Sequence, residues 1–122
     1  MAEKIPPEVQ QQAIKYQQIQ AQLNQLIAEK SVLEQELREI NRALEVLKNV
    51  PNDAEVYRAA GHLLIKISKE AAEKELNERK ELIELRIKTL SRQEALLRQQ
   101  LSEIQSKLSE YLSTTYKKPV QY

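Results

Sequence analysis

The sequence predicts a mainly α fold, a long antiparallel helical coiled coil whose two arms are joined by a central β-hairpin. Three observations carry this. Apolar residues step by three and four along two stretches of similar length. Between Val50 and Ser68 a proline, the only glycine of the chain and a run of β-branched residues interrupt both stretches. The composition, 30% charged and 4% aromatic with no Phe and no Trp, lacks the bulk of a globular core and suits long helices.

The first helix is expected over residues 8–49, with Pro7 tolerated at its start because a first-turn N–H has no intrahelical partner anyway. Its seam reads Tyr16, Ile19, Leu23, Leu26, Lys30, Leu33, Leu37, Ile40, Leu44 and Leu47. About 40 residues at about 1.5 Å each make a rod of roughly 60 Å. Such a rod is stable only against a coiled-coil partner.

Pro51-Asn52-Asp53 should stop that helix, since proline lacks a backbone donor and Asn and Asp side chains bond their own backbone. A hairpin is then expected over 54–67. Glu55–Ala59 and His62–Ile67 flank Ala60-Gly61, where Gly61 can supply the positive φ of a tight turn. Ala-Gly is a weaker turn signal than Asn-Gly, so the register stays open. The hairpin is apolar on both faces, with Val56 and Tyr57 on one strand and Leu63, Leu64, Ile65 and Ile67 on the other. Two strands alone are marginal in water. The cover is expected from other chains adding strands edge to edge, which makes these residues and Gly61 the expected oligomerisation site.

The second helix is expected over 69–115. Ser68 is placed to cap it, and Glu70 and Glu73 suit the positive end of its dipole. Its seam runs Leu76, Lys80, Ile83, Ile87, Leu90, Glu94, Leu97, Leu101, Ile104, Leu108 and Tyr111. Arms of matching length joined by a short hairpin bury both seams by folding back on each other. Lys30 and Glu94 put a charge inside each seam. They are read either as a pair that sets the register of the helices or as two side chains that snorkel separately to solvent.

Away from the hairpin both arms change character. Between Glu8 and Glu29 the only charge is Lys15, amid Gln10, Gln11, Gln12, Gln17, Gln18, Gln20, Gln22 and Gln25, and the other arm carries Gln99, Gln100 and Gln105. Antiparallel pairing gathers Tyr16, Tyr111, Tyr116 and Tyr122 at this end, four of the five tyrosines, with Val9, Ile14 and Leu112 nearby. Tyrosine offers large amphipathic contact area at low entropic cost, and a weakly charged surface discriminates little between partners. The plainer account is the relaxed composition of frayed coiled-coil ends. Residues 1–7 and 116–122, Pro119 among them, are expected to be flexible.

The chemistry of most enzymes has no place here. One glycine cannot build a phosphate-cradling loop, His62 is the sole histidine, and without cysteine there is no thiolate or disulfide framework. His62 reads as a partly exposed strand residue. Carboxylates alternate with Lys and Arg as on solvated helix faces, so no catalytic site, cofactor or metal is expected. A net charge of +1 without a basic stripe argues against nucleic acid and against an anionic membrane. No apolar run approaches membrane-spanning length and the N-terminus lacks the apolar core of a secretory signal, so the cytoplasm is the expected compartment.

The hairpin Val56-Tyr57-Arg58-Ala59-Ala60-Gly61-His62-Leu63-Leu64-Ile65-Lys66 resembles that of the β class of prefoldin subunits: an aliphatic-Tyr pair, a glycine three or four residues on, and a Leu-aliphatic-Lys strand. The likeness covers nearly the whole chain, including Leu82-Ile83-Glu84-Leu85-Arg86-Ile87-Lys88-Thr89-Leu90. A single hairpin is similar to the β class rather than the α class, which carries two, and the Glu and Lys content is closer to archaeal members. The resemblance implies a hexamer of two α and four β subunits, with a double β-barrel platform built from the hairpins and six projecting coiled coils. It also implies that the coiled-coil tips hold unfolded polypeptide without ATP and pass it to a group II chaperonin. Val9, Ile14, Tyr16, Ile19, Leu108, Tyr111, Leu112 and Tyr116 are the tip residues to which the client role attaches. The competing reading is a structural or adaptor coiled coil that oligomerises through its hairpin and binds one folded partner.

Overall fold

The structure is a computed structural model that describes residues 5–116, of residues 115 and 116 the backbone alone. Helix α1 spans Pro7–Lys48, strands β1 and β2 span Val56–Ala60 and Leu63–Ile67, and helix α2 spans Lys69–Tyr116. The chain divides into two compact units: a hairpin unit of residues 29–89, and a terminal unit of residues 1–28 with 90–122. Of the ends expected to be flexible, 1–7 and 116–122, residues 1–4 and 117–122 lie outside the described residues, while Pro7 opens α1 and Tyr116 ends α2.

Local chemistry explains where the elements begin and end. The Pro6 carbonyl accepts from Val9 N and Gln10 N, and the Gln10 amide donates back to the Ile5 carbonyl at 3.0 Å. At the other end of α1, Asn49 N and Val50 N donate to the carbonyls of Val46 and Leu47, the tightened last turn that satisfies carbonyls left without an i+4 donor. Pro51 then blocks continuation, and Ala54 N closes a turn on the Pro51 carbonyl. Ser68 caps α2 as its sequence position suggests, its Oγ accepting from Ala71 N at 3.0 Å. Lys69, in the first turn of α2, donates from Nζ to the Val50 carbonyl at 2.8 Å. One side chain thus holds together the two connections that flank the hairpin.

In the hairpin unit the helices run antiparallel. Arg79 donates to both carboxylate oxygens of Glu36, at 3.0 and 2.9 Å, and Arg86 donates to Glu29 at 2.8 Å. Going from Arg79 to Arg86 advances seven residues on α2, and going from Glu36 to Glu29 retreats seven on α1. These half-exposed pairs fix alignment more than they stabilise, at about 0–1 kcal/mol each. The seam supplies the larger share. Ile40, Leu47, Ala72 and Ile83 are buried, and each large aliphatic side chain removed from water contributes about 1.5–3 kcal/mol.

In the terminal unit Ile19 and Leu23 of α1 pack with Leu101 and Ile104 of α2, and Tyr16, Leu97 and Leu108 close over that cluster. Leu26 and Leu90 are also buried. Within both units every seam position read from the sequence, Tyr16 to Leu47 and Leu76 to Tyr111, is buried or half-buried. The two seam charges are half-buried, Lys30 in the hairpin unit and Glu94 in the terminal unit, and Glu94 accepts from Arg98 Nε at 2.9 Å on its own helix.

Candidate functional site

The hairpin pairs Val56 with Ile67, Tyr57 with Lys66, Arg58 with Ile65, Ala59 with Leu64 and Ala60 with Leu63. The turn is therefore Gly61-His62, one residue later than the Ala60-Gly61 read from the sequence, and His62 lies in the turn rather than in a strand. The reason is conformational. Gly61 has φ 60° and no other described residue has positive φ, so glycine takes the first central position, the arrangement of a type II′ turn whose twist matches the strands.

Because side chains alternate along a strand, this register sorts the hairpin into two faces. Val56, Arg58 and Ala60 share one face with Ile67, Ile65 and Leu63; Tyr57 and Ala59 share the other with Lys66 and Leu64. At the root of the first face Val56 and Ile67 are half-buried. Beyond them both faces open to solvent: Leu63 is 66% exposed, Leu64 73%, and Tyr57 and Ile65 are exposed as well. The sheet of the described residues has only these two strands, so the outer edge of each carries unpaired backbone groups.

Under the root of the hairpin lies a groove of about 540 Å³ between the end of α1, β1 and the start of α2. Val46, Leu47, Val56, Ile67, Ala72 and Leu76 give it apolar walls. Its charged lining includes Arg58 and Glu75, which form an ion pair, and Tyr57 donates to Glu55 Oε2 at 3.0 Å. Sequence periodicity did not reveal the groove, since it depends on how far the hairpin leans from the helices.

In the terminal unit the start of α1 and the end of α2 come together. Glu8, Val9 and Gln12 face Lys107 and Leu108 across a shallow hollow of about 260 Å³. Of the residues singled out there, Ile14 and Leu112 are exposed, while Val9, Tyr16, Leu108 and Tyr111 are half-buried. Ile19 belongs to the core cluster and presents almost nothing to solvent. Only the backbone of Tyr116 is described, at the last position of α2, and Tyr122 lies outside the described residues.

Among the described residues no group of three His, Cys, Asp or Glu side chains could hold a metal, and no helix is long and apolar enough to cross a membrane. Among the described residues, exposed apolar side chains occur on the uncovered hairpin and at the joined helix ends, and also along the outer helix faces, as at Val32, Leu82, Leu85 and Leu96.

Comparison with known proteins agrees with this architecture. The family model described as "Prefoldin subunit" matches residues 10–115. The chain is 53% identical over 116 residues to a prefoldin subunit beta of Saccharolobus islandicus, covering 95% of this chain and 92% of that one. It is 49% identical to the prefoldin subunit beta of Sulfurisphaera tokodaii, with 95% and 93% covered. The crystal structure of the prefoldin beta subunit from Thermococcus strain KS-1 superimposes with a TM-score of 0.82 at 34% identity, covering 91% of this chain and 97% of that one. The matched region holds both helices almost entirely and the whole hairpin between them, and on that ground the chain belongs to the prefoldin subunit family, a family of chaperones.

Proposed function

We propose that this chain is a β-type subunit of a cytoplasmic, ATP-independent holdase, assembled through its hairpin with α-type subunits and further β-type copies as two α and four β chains. The joined helix ends bind unfolded polypeptide and prevent its aggregation, and the client passes to a group II chaperonin. The observation that carries this reading is the uncovered hairpin, whose exposed apolar side chains stand on a sheet of two strands among the described residues. At the hairpin, exposed Tyr57, Leu63, Leu64 and Ile65 accompany unpaired strand edges, a combination suited to protein assembly. At the helix ends, exposed Ile14 and Leu112 sit in glutamine-rich, weakly charged surroundings that suit clients of many sequences.

A single helix-end surface is small, so one contact with a client strand is weak. Several arms tethered to one platform raise the effective concentration of each for the next segment of the same client, and avidity follows without any new contact. Contacts that break one at a time permit release without a nucleotide. The test is aggregation of a chemically unfolded protein diluted into buffer without ATP, with and without the complex of this chain and an α-type partner. Suppressed light scattering, relieved by a group II chaperonin with ATP, supports the proposal. Binding confined to one folded partner indicates an adaptor instead.

A further inference from the structure

The hairpin is joined to the two helices unequally. Ser68 alone separates β2 from α2, whereas residues 49–55, Pro51 among them, separate α1 from β1. The short side is a firm joint. Ser68 is built into the start of α2, its carbonyl accepting from Ala72 N at 2.9 Å and its Oγ from Ala71 N at 3.0 Å. Among the described residues the long side is tied to α2 by the Lys69 bond to the Val50 carbonyl.

Little apolar packing holds the strands down. Val56 and Ile67 at the root are half-buried, and every other strand position is exposed. Where a packed layer would resist movement, the groove of about 540 Å³ lies between β1 and the helices. Arg58 is the one charged residue on its strand face, among Val56, Ala60, Leu63, Ile65 and Ile67, and it reaches Glu75 of α2. Its cross-strand neighbour Ile65 is three residues from Ser68, which puts the ion pair about 10 Å out from the joint at a strand rise of about 3.3 Å.

We propose that the hairpin is a lever that pivots at Ser68 and is pinned by two charges of unequal strength, so that ionic strength sets its inclination to the helices. The outer pin is the weaker one. Arg58 and Glu75 are both nearly half exposed, and the screening length falls from about 10 Å at 0.1 M salt to about 3 Å at 1 M, so salt releases this pair. The inner pin is shielded: the Lys69 side chain is 13% exposed, with Glu73 Oε1 at 3.9 Å beside its bond to Val50. Salt therefore frees the angle and leaves the root in place. The turn lies about 16 Å from Ser68, so a rotation of about 10° carries it about 3 Å. In the proposed assembly, on which this consequence rests, the inclination is the angle at which the helices leave the joined hairpins.

The chain has no cysteine, so spin labels go only where they are placed. Leu64→Cys on the hairpin and Leu82→Cys on α2, 73% and 61% exposed, carry one label each. The labelled full-length chain is diluted into unlabelled chain, and the distance distribution between the two labels is measured by pulsed electron paramagnetic resonance. The expected result is a distribution narrow at low salt and about twice as wide at about 1 M salt, with the circular dichroism unchanged. Arg58→Ala should be wide at both salt concentrations, Lys69→Met wider still, and Arg58→Glu combined with Glu75→Arg should restore the narrow, salt-sensitive distribution. Equal widths at low and high salt with both pins intact overturn the lever, and this comparison decides even where a variant does not fold. A wide distribution at low salt in the folded, charge-exchanged chain overturns the ionic pin. A salt-responsive hairpin in a chain that forms no complex with an α-type partner overturns the assembly and supports the lever.

Discussion

Arg58 of β1 is ion-paired with Glu75 of α2, Nη1 to Oε1, and this bond ties the middle of the hairpin to α2. Seventeen residues separate the two partners in sequence. Both are nearly half exposed, so the bond contributes little to global stability, about 0–1 kcal/mol. Its effect is on the inclination of the hairpin, and hence on the groove that both residues line.

Replacing Arg58 with alanine is therefore expected to shift the thermal midpoint only slightly while hydrogen exchange in β1 and β2 accelerates. Glu75→Ala should do the same, and the double variant should add little to either. An effect of Arg58→Ala on helix exchange as large as on the strands would show that the pair supports the whole unit.

Gly61 tests the turn. A Cβ placed there meets nothing within 4 Å, so the cost of Gly61→Ala comes from the positive-φ backbone alone, about 1–3 kcal/mol. Asparagine, which tolerates this conformation better, should cost less. Chemical-shift or exchange measurements on the hairpin should rank the variants glycine, asparagine, alanine. A variant containing alanine that keeps the same protection would mean that the turn is not under this constraint.

The seam and the outer helix face should respond differently to the same substitution. Ile83, 1% exposed, is expected to lose about 2–5 kcal/mol on truncation to alanine, as transfer and cavity terms combine. Leu82→Ala next to it, 61% exposed, should stay within about 0.5 kcal/mol. Denaturant melts of the two variants measure this directly, and equal losses would mean that Leu82 is covered in solution.

At the helix ends, Ile14→Ser and Leu112→Ser together are expected to weaken aggregation suppression severalfold while leaving the melting midpoint and the mass of the complex unchanged. Ile19→Ser should instead lower stability, because that side chain is in the core cluster. If the exposed pair can be replaced without loss of suppression, clients are held elsewhere.

The two seams were legible because their signal is local: a side chain every three or four residues must share a face, whatever the rest of the chain does. Ser68 was legible for the same reason, since a cap needs only its own first turn. Ala72 was missed. It is buried one helical step before Leu76, but its small side chain does not stand out in a pattern read from bulky residues. The turn was displaced by one residue because Gly61 fits either central position until the strand register chooses. Features that depend on the exact alignment or inclination of two elements were not legible. The ladder of Glu36 with Arg79 and Glu29 with Arg86 requires the alignment of the helices, the Lys69 bond to Val50 requires the path of both connections, and the groove requires the inclination of the hairpin. At the helix ends Ile19 was counted both in the seam and among the tip residues; the seam position decides, so Ile19 is buried while Ile14, off the seam, is exposed.

The central claim is that this chain belongs to a complex that holds unfolded chains without fuel. The most direct measurement is light scattering of an unfolded, aggregation-prone protein diluted into nucleotide-free buffer containing the complex of this chain with its α-type partner, repeated with the Ile14→Ser, Leu112→Ser complex. The account predicts suppressed scattering with the unaltered complex and its partial return with the variant. Full scattering in the presence of an assembled, unaltered complex would contradict it.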